Sequence, residues 1–212
     1  MSLESSRSSY ERGTLDESSI DVDPMRTVRA WLDEAYALPS AGDANAMCLS
    51  TAGADGAPSS RIVLARGVDQ RGIVFYTSYF SRKGRELEAN PRAAALFHWP
   101  ALERQVRIEG TVTLLSEDES DAYFASRPRG HQLSAWASEQ SEPVERRETL
   151  EERMLHFDER FEGEEVPRPH SWGGYLLQPH YIEFWQGRAN RLHDRLTCAL
   201  GNRGWSVRRL QP

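Results

Sequence analysis

The pattern of polar and apolar residues predicts a mainly β protein with some helix (β+α), an antiparallel barrel with flanking helices packed outside it. Two observations lead there. The β-rich runs follow one another as hairpins rather than alternating with helices, which argues against a doubly wound sheet. The G-x-G-x-x-G turn that opens many such sheets is also absent.

The elements follow in order. Residues 1–22 are rich in Ser, Glu, Asp and Arg and read as a mobile N-terminal arm, leaving 23–212 as one domain. Asp23-Pro24 supplies an N-cap and a proline at the first helical position. Val28, Trp31, Leu32 and Ala35 then repeat at i, i+3, i+4, i+7, giving an amphipathic helix to about Leu38. The period next changes to two in Ala46–Ala52, Ser59–Gly67 and Gly72–Ser78, separated by Ala54–Ala57 and Asp69–Gly72 turns. Ser81 caps a short helix to Glu88, ended by Asn90-Pro91. Ala93–Trp99 and Arg104–Leu115 are two more strands. Ser116 and Glu119 form a capping box for a helix to Ser126. Gln132–Ser138 and Pro143–Phe161 read as helices, the latter with Leu150, Met154, Leu155 and Phe157 inward. After a Pro-containing linker, Gly173–Leu177, Tyr181–Gln186, Arg191–Ala199 and Trp205–Leu210 complete the strands.

Composition narrows the function. The 212 residues include six Trp, seven Tyr and seven Phe, too many aromatics for a disordered chain. A formal charge of −6 argues against nucleic-acid binding through a global basic field. No apolar run approaches the ~18 residues of a membrane span. Two cysteines without a C-x-x-C spacing and a polar N-terminus fit a cytoplasmic chain with reduced thiols. Walker, H-E-x-x-H and G-x-S-x-G motifs are missing, and the six histidines show no metal spacing, so no metal is expected.

Cationic clusters at strand ends remain. Arg61 and Arg66 bracket Ile62–Ala65. Arg82 and Lys83, the one lysine among 26 basic residues, lie in the first turn after Ser81, where free N–H groups already favour an anion. Such a group suits a phosphate monoester, although a solvated basic face has the same composition. Arg61 and Arg66, five apart, fall on opposite faces of a regular strand; both reach phosphates only through a bulge or on two different phosphates on two sides, and the latter is expected. Arg191, His193 and Arg195 alternate with Leu192, Asp194 and Leu196 and share one strand face, near Glu183 and Trp185. That face is either exposed or a pocket wall for a flat anionic aromatic ligand. Tyr123 and Arg127, at i, i+4, with Arg129 nearby, form another anion candidate. Gln105, Gln140 and Ser141 are uninformative by themselves.

At these residues the sequence resembles the pyridoxamine 5′-phosphate oxidase family. The shared stretches are Arg61–Leu64, Phe75–Thr77, Ser81–Lys83, Glu103–Val106, Tyr123–Arg129, Gln140-Ser141, Trp172–Gly174, Glu183–Gly187 and Arg191–Arg195. The resemblance implies an FMN-binding split β-barrel, a homodimer with FMN at its interface. It places Arg61, Arg82, Lys83 and Ser141 on the FMN phosphate and Ile62, Val63, Leu64, Tyr76 and Thr77 along the flavin. Gln105, Gln140, Trp185 and Arg195 complete that site, some of them from the partner subunit. Tyr123, Arg127, Arg66 and His131 would hold the substrate phosphate, Arg191 and His193 would stand at the pyridine ring as catalytic residues, and Arg7 and Tyr10 would close over it. The implied reaction oxidises pyridoxine or pyridoxamine 5′-phosphate to pyridoxal 5′-phosphate with O2 reduced to H2O2, as in vitamin B6 salvage. Three positions depart from the family pattern: Arg66 for Lys, His131 for Ser and Ser134 for Gly. They leave open a second reading, an FMN oxidase of another aromatic substrate, of the phenazine-biosynthesis kind.

Overall fold

The structure is a computed structural model that describes residues 9–38 and 42–212. Nine antiparallel strands form one curled sheet: β1 (Ala46–Ala52), β2 (Pro58–Leu64), β3 (Gly67–Asp69), β4 (Gly72–Ser78), β5 (Arg92–Trp99), β6 (Arg104–Leu114), β7 (Trp172–Gln186), β8 (Asp194–Gly201) and β9 (Gly204–Leu210). Their spatial order is β2-β1-β5-β6-β7-β4-β3, with β8 on β7 and β9 on β8.

The two ends of that order are joined by the chain itself. Ala65 donates its N–H to Asn45 O at 2.9 Å, on the β1 side, and Arg66 donates its own to Val74 O at 2.7 Å, on β4. The run 59–67 is therefore a strand that switches partners at a two-residue corner, and this curls the sheet toward a barrel. A single strand replaces the two expected between Gly173 and Gln186. Its first half pairs with β4 and its second half with β8, with a bulge opposite Glu109/Gly110.

Phe75, Phe97, Phe184, Met47, Leu49, Ile108 and Ile182 fill the interior and are fully buried. Helix α1 (Pro24–Tyr36) covers one face with Val28, Trp31, Leu32 and Ala35, and the Asp23 carboxylate caps it by accepting the Met25 N–H at 3.1 Å. Burying such side chains contributes about 1.5–3 kcal/mol for each large one. Helix α2 (Arg82–Ala89) follows β4. A second cluster of Phe124, Leu133, Phe161, Val166 and Trp172 lies under α3 (Glu117–Ala125), α4 (Arg129–Ala137) and α5 (Arg147–Arg160).

Leu155 does not face inward as expected. It is 65% exposed, and only Met154 and Phe157 of the α5 apolar set pack on the second cluster. The described part of the arm, 9–22, is fastened to the C-terminal strands. Leu15 is buried, and the Arg209 guanidinium binds the Glu17 carboxylate and Leu15 O. Among the described residues no helix is long and apolar enough to cross a membrane.

Candidate active site

The α2 N-terminus and the β2 edge frame the first group of candidate residues. The Ser81 hydroxyl caps α2 by accepting the Gly84 N–H at 3.3 Å. A Cβ at residue 84 would lie 2.0 Å from Tyr79 O, so only glycine lets the helix start this close to the end of β4. That placement folds Lys83 back over the strand. Its Nζ, in a side chain only 7% exposed, donates to Thr77 Oγ1 (3.0 Å), Ser81 Oγ (3.3 Å) and Gln140 Oε1 (3.3 Å), all neutral acceptors. Burial, reinforced by the nearby Arg61 charge, pushes the ammonium down to about 8.

Arg61 and Arg82 share one carboxylate. Glu86 accepts from Arg61 at 3.2 Å and Arg82 at 2.8 Å, and from the Ser59 and Thr51 hydroxyls. Burial alone would raise its pKa; hydrogen bonds from Ser59, Thr51, Arg82 and Arg61 outweigh it and bring it to about 2. The segment after α4 closes the group. Gln140 Oε1 accepts from Thr77 Oγ1 at 2.8 Å, and Ser141, with φ at 77°, accepts the Arg82 N–H at 3.1 Å. Gln140 and Ser141, silent as isolated letters, thus belong to the cation cluster.

This cluster opens into a cavity of about 1120 Å³. Ile62, Val63 and Leu64 line its floor, and Ile62 is 67% exposed. Tyr76, Tyr123 and Trp172 form a wall of nearly parallel rings, Tyr76 and Tyr123 with centroids 3.8 Å apart. Beyond them stand Arg66, Arg127 and His131. The Arg127 guanidinium lies 4.4 Å from the Trp172 ring centre, and its Nη1 is buried without a hydrogen-bond partner. Burial, together with the Arg66 charge, lowers the Arg127 pKa. Because the strand turns at 65–66, Arg61 and Arg66 reach the same cavity, roughly 16 Å apart along the chain; an interrupted strand, rather than the expected two separate sides, is what the structure has. Arg129 is directed elsewhere and ties α4 to Asp158, Phe161 O and Glu164 O.

The remaining candidates gather at another corner. Gln105, Trp185 and Arg195 are register partners across β6, β7 and β8. Arg195 Nε donates to Glu183 at 2.7 Å, which raises the Arg195 pKa. The Trp185 and His193 rings are 4.6 Å apart, and Tyr10 stands edge-on to both. His193 Nδ1 accepts the Arg188 N–H at 3.1 Å, leaving Nε2 to carry the ring proton, and burial followed by the Arg191 charge lowers its pKa. Arg191 is not on the strand face expected of it. It ends a 3-10 turn before β8, with Asn190 and Arg191 both left-handed at φ 56° and 61°. Such conformations cost about 1–3 kcal/mol each and cluster at functional sites. Arg7 lies outside the described residues.

None of this second group lines the cavity. Gly174, opposite Tyr76, and Trp185 are eleven residues apart on β7, roughly 35 Å along the strand. The cavity by itself has the donors for two phosphate monoesters: a buried ammonium with neutral partners at a helix N-terminus, and a guanidinium with an orphaned nitrogen. Glu86, Thr51 and Ser59 are not among the residues the sequence singles out, and Trp172 is there only as part of a shared stretch, without a role. Glu86 follows Arg82 by four residues, a helical pairing signal, and Thr51 faces Ser59 across the β1–β2 register.

Residues 33–158 match the family Pyridoxamine 5'-phosphate oxidase, and residues 172–212 match the Pyridoxine 5'-phosphate oxidase C-terminal dimerisation region. Pyridoxine/pyridoxamine 5'-phosphate oxidase of Rubrobacter xylanophilus is 58% identical over 97% of this chain and 94% of its own. That of Bordetella avium is 55% identical over the full length of both chains. Among solved structures, PhzG from Burkholderia lata, in complex with tetrahydrophenazine-1-carboxylic acid, is 32% identical with a TM-score of 0.87, covering 97% of this chain and all of its own. An FMN binding protein from Nostoc punctiforme, 18% identical with a TM-score of 0.71 over 91% of this chain and all of its own, shares the fold.

Proposed function

The chain belongs to the pyridoxamine 5′-phosphate oxidase family of FMN-dependent oxidoreductases, and from that premise we propose that it oxidises pyridoxine and pyridoxamine 5′-phosphate to pyridoxal 5′-phosphate. The observation that carries the reading is one cavity with two cationic groups, of which Arg127 keeps a buried nitrogen unpaired. A cofactor phosphate and a substrate phosphate match those two groups.

Arg61, Arg82, Lys83 and Ser141 hold the FMN phosphate, with Thr77 and Gln140 orienting Lys83. Ile62, Val63, Leu64 and Tyr76 exclude water from the flavin face. Arg66, Tyr123, Arg127 and His131 hold the substrate phosphate, Arg127 seated on Trp172. When bound, FMN would supply the acceptor for the hydride lost from the substrate's C4′ carbon and the route to O2, which is reduced to H2O2; the alcohol gives the aldehyde directly, and the amine gives an imine that water hydrolyses to the aldehyde and ammonia. Arg191 keeps a positive charge at the pyridine ring and stabilises negative charge that develops there. His193, whose charged form burial and the Arg191 charge disfavour, presents its Nε2–H as a donor while Nδ1 accepts the Arg188 N–H.

Gln105, Trp185, Arg191, His193 and Arg195 complete the site from a second copy of the chain. The dimerisation-region match and the remoteness of these residues from their own cavity both support that homodimer. A second reading rests on the likeness to PhzG and on Arg66, His131 and Ser134 in the cavity wall: the same cofactor site serving another aromatic substrate.

Anaerobic addition of pyridoxine 5′-phosphate to the yellow protein distinguishes the two. Bleaching of the flavin band, reversed by air with aldehyde and H2O2 formed one for one, is the expected result. A flavin that stays oxidised with both phosphorylated vitamers would overturn the reading in favour of the second.

A further inference from the structure

Glu103 belongs to the Glu103–Val106 stretch but has no part in the cavity. It sits at the corner between a 3-10 turn and β6 with φ 54° and ψ 38°, a conformation that a non-glycine residue keeps only where its surroundings fix it. Both halves of the residue are engaged. Its carboxylate Oε2 accepts the backbone N–H groups of Glu11 and Arg12, each at 2.9 Å. Its carbonyl accepts the Gly187 N–H at 2.8 Å and Gln186 Nε2 at 3.2 Å.

These two sets of bonds meet at Tyr10. A Cβ on residue 187 would come within 2.7 Å of the Tyr10 ring, so the ring rests directly on the Gly187 backbone. From there its edge meets Trp185 and His193, with centroids 5.8 and 5.6 Å away. Glu103 therefore grips both the segment that carries Tyr10 and the backbone on which Tyr10 rests. We propose that Glu103 is a positioning residue, which seats Tyr10 across the Trp185–His193 pair and so sets the affinity for substrate. That substrate meets the Trp185–His193 pair on which Tyr10 is seated rests on the place of His193 proposed above; the grip itself does not.

The test uses the full-length, FMN-loaded protein and two variants. Glu103→Gly suits the left-handed backbone and removes the carboxylate, and Glu103→Gln keeps a weaker acceptor. Three quantities are read: the rate of tryptic cleavage after Arg12, KM and kcat for pyridoxine 5′-phosphate, and FMN affinity. Loss of two charge-assisted bonds predicts about tenfold faster cleavage and about tenfold higher KM for Glu103→Gly, with kcat and FMN affinity within about twofold. Glu103→Gln falls between that variant and the wild type. Unchanged cleavage in Glu103→Gly overturns the proposal. Faster cleavage with an unmoved KM overturns its substrate half. If the wild type turns over neither phosphorylated vitamer, the proposed function has failed, and the cleavage rates still decide the grip.

Discussion

At the α2 end of the cavity each cation already has a partner within the protein: Lys83 has Thr77, Ser81 and Gln140, and Arg61 and Arg82 have Glu86. At the Arg66 corner the half-buried Arg127 lies against Trp172 with a buried, unmatched Nη1, and burial together with the Arg66 charge lowers its pKa. The first arrangement is organised before any ligand arrives, and little entropy remains to be lost when one binds. The second leaves its desolvation cost uncompensated until an anion enters. A tightly kept cofactor matches the first arrangement, and a substrate that comes and goes matches the second.

The sharpest way to break this comparison is Lys83→Met. Replacing the buried ammonium by an isosteric apolar chain should weaken FMN binding roughly 30–100-fold, as expected for a charge-assisted contact. The fold should be kept, because no carboxylate loses its partner. Fluorescence titration and thermal melting of the apoprotein read the two effects separately.

Arg127→Ala should do the reverse. KM for pyridoxine 5′-phosphate rises about 10–30-fold by loss of a charged contact, while FMN affinity stays within about twofold. Equal effects on both ligands would erase the distinction between the two ends.

Glu86→Gln tests what organises the first end. The carboxyl sits at about 2 in the folded protein, below its ordinary value of 4.5. Its contribution to stability is thus complete above about 4.5 and is lost as pH falls toward 2. Urea unfolding should show the variant less stable by about 1 kcal/mol at pH 6, with the gap closing as the pH is lowered through 3.

The smallest effect is a pH dependence. Lys83 in the apoprotein loses its charge near pH 8, and a bound phosphate opposes that loss. FMN affinity should fall about threefold between pH 7.5 and 8.5, and Lys83→Met should be flat over that interval.

Much of the fold was legible because its signals are local. The Asp23, Ser81 and Ser116 caps, the period-two runs and the Gly-containing turns each act within a few residues, and β1 and β4 have the bounds that their pattern predicts. The corner at Ala65–Arg66 was not legible, because it depends on hydrogen bonds to Asn45 and Val74, which are distant in sequence. Arg191 looked like a strand residue for the same reason: alternation of side chains does not report a left-handed backbone. In the site, Arg82, Lys83 and the Tyr123–Arg127 pair stood out by spacing alone. Gln140 and Ser141 needed the resemblance, and Glu86 acquires its meaning only once α2 is laid against the β1–β2 hairpin.

The central claim is that each active site takes its cavity from one chain and its Trp185–Arg195 corner from the other. A differentially tagged heterodimer of Lys83→Ala with Arg191→Ala tests it most directly. Two-fold symmetry then places both defects in one site and leaves the other intact. At an FMN concentration that fills the wild-type site but not one lacking Lys83, the heterodimer should recover about half of the wild-type turnover per dimer, although either parent homodimer is nearly inactive. A heterodimer no more active than its parents would show that Lys83 and Arg191 serve the same site from one chain, and would contradict the account.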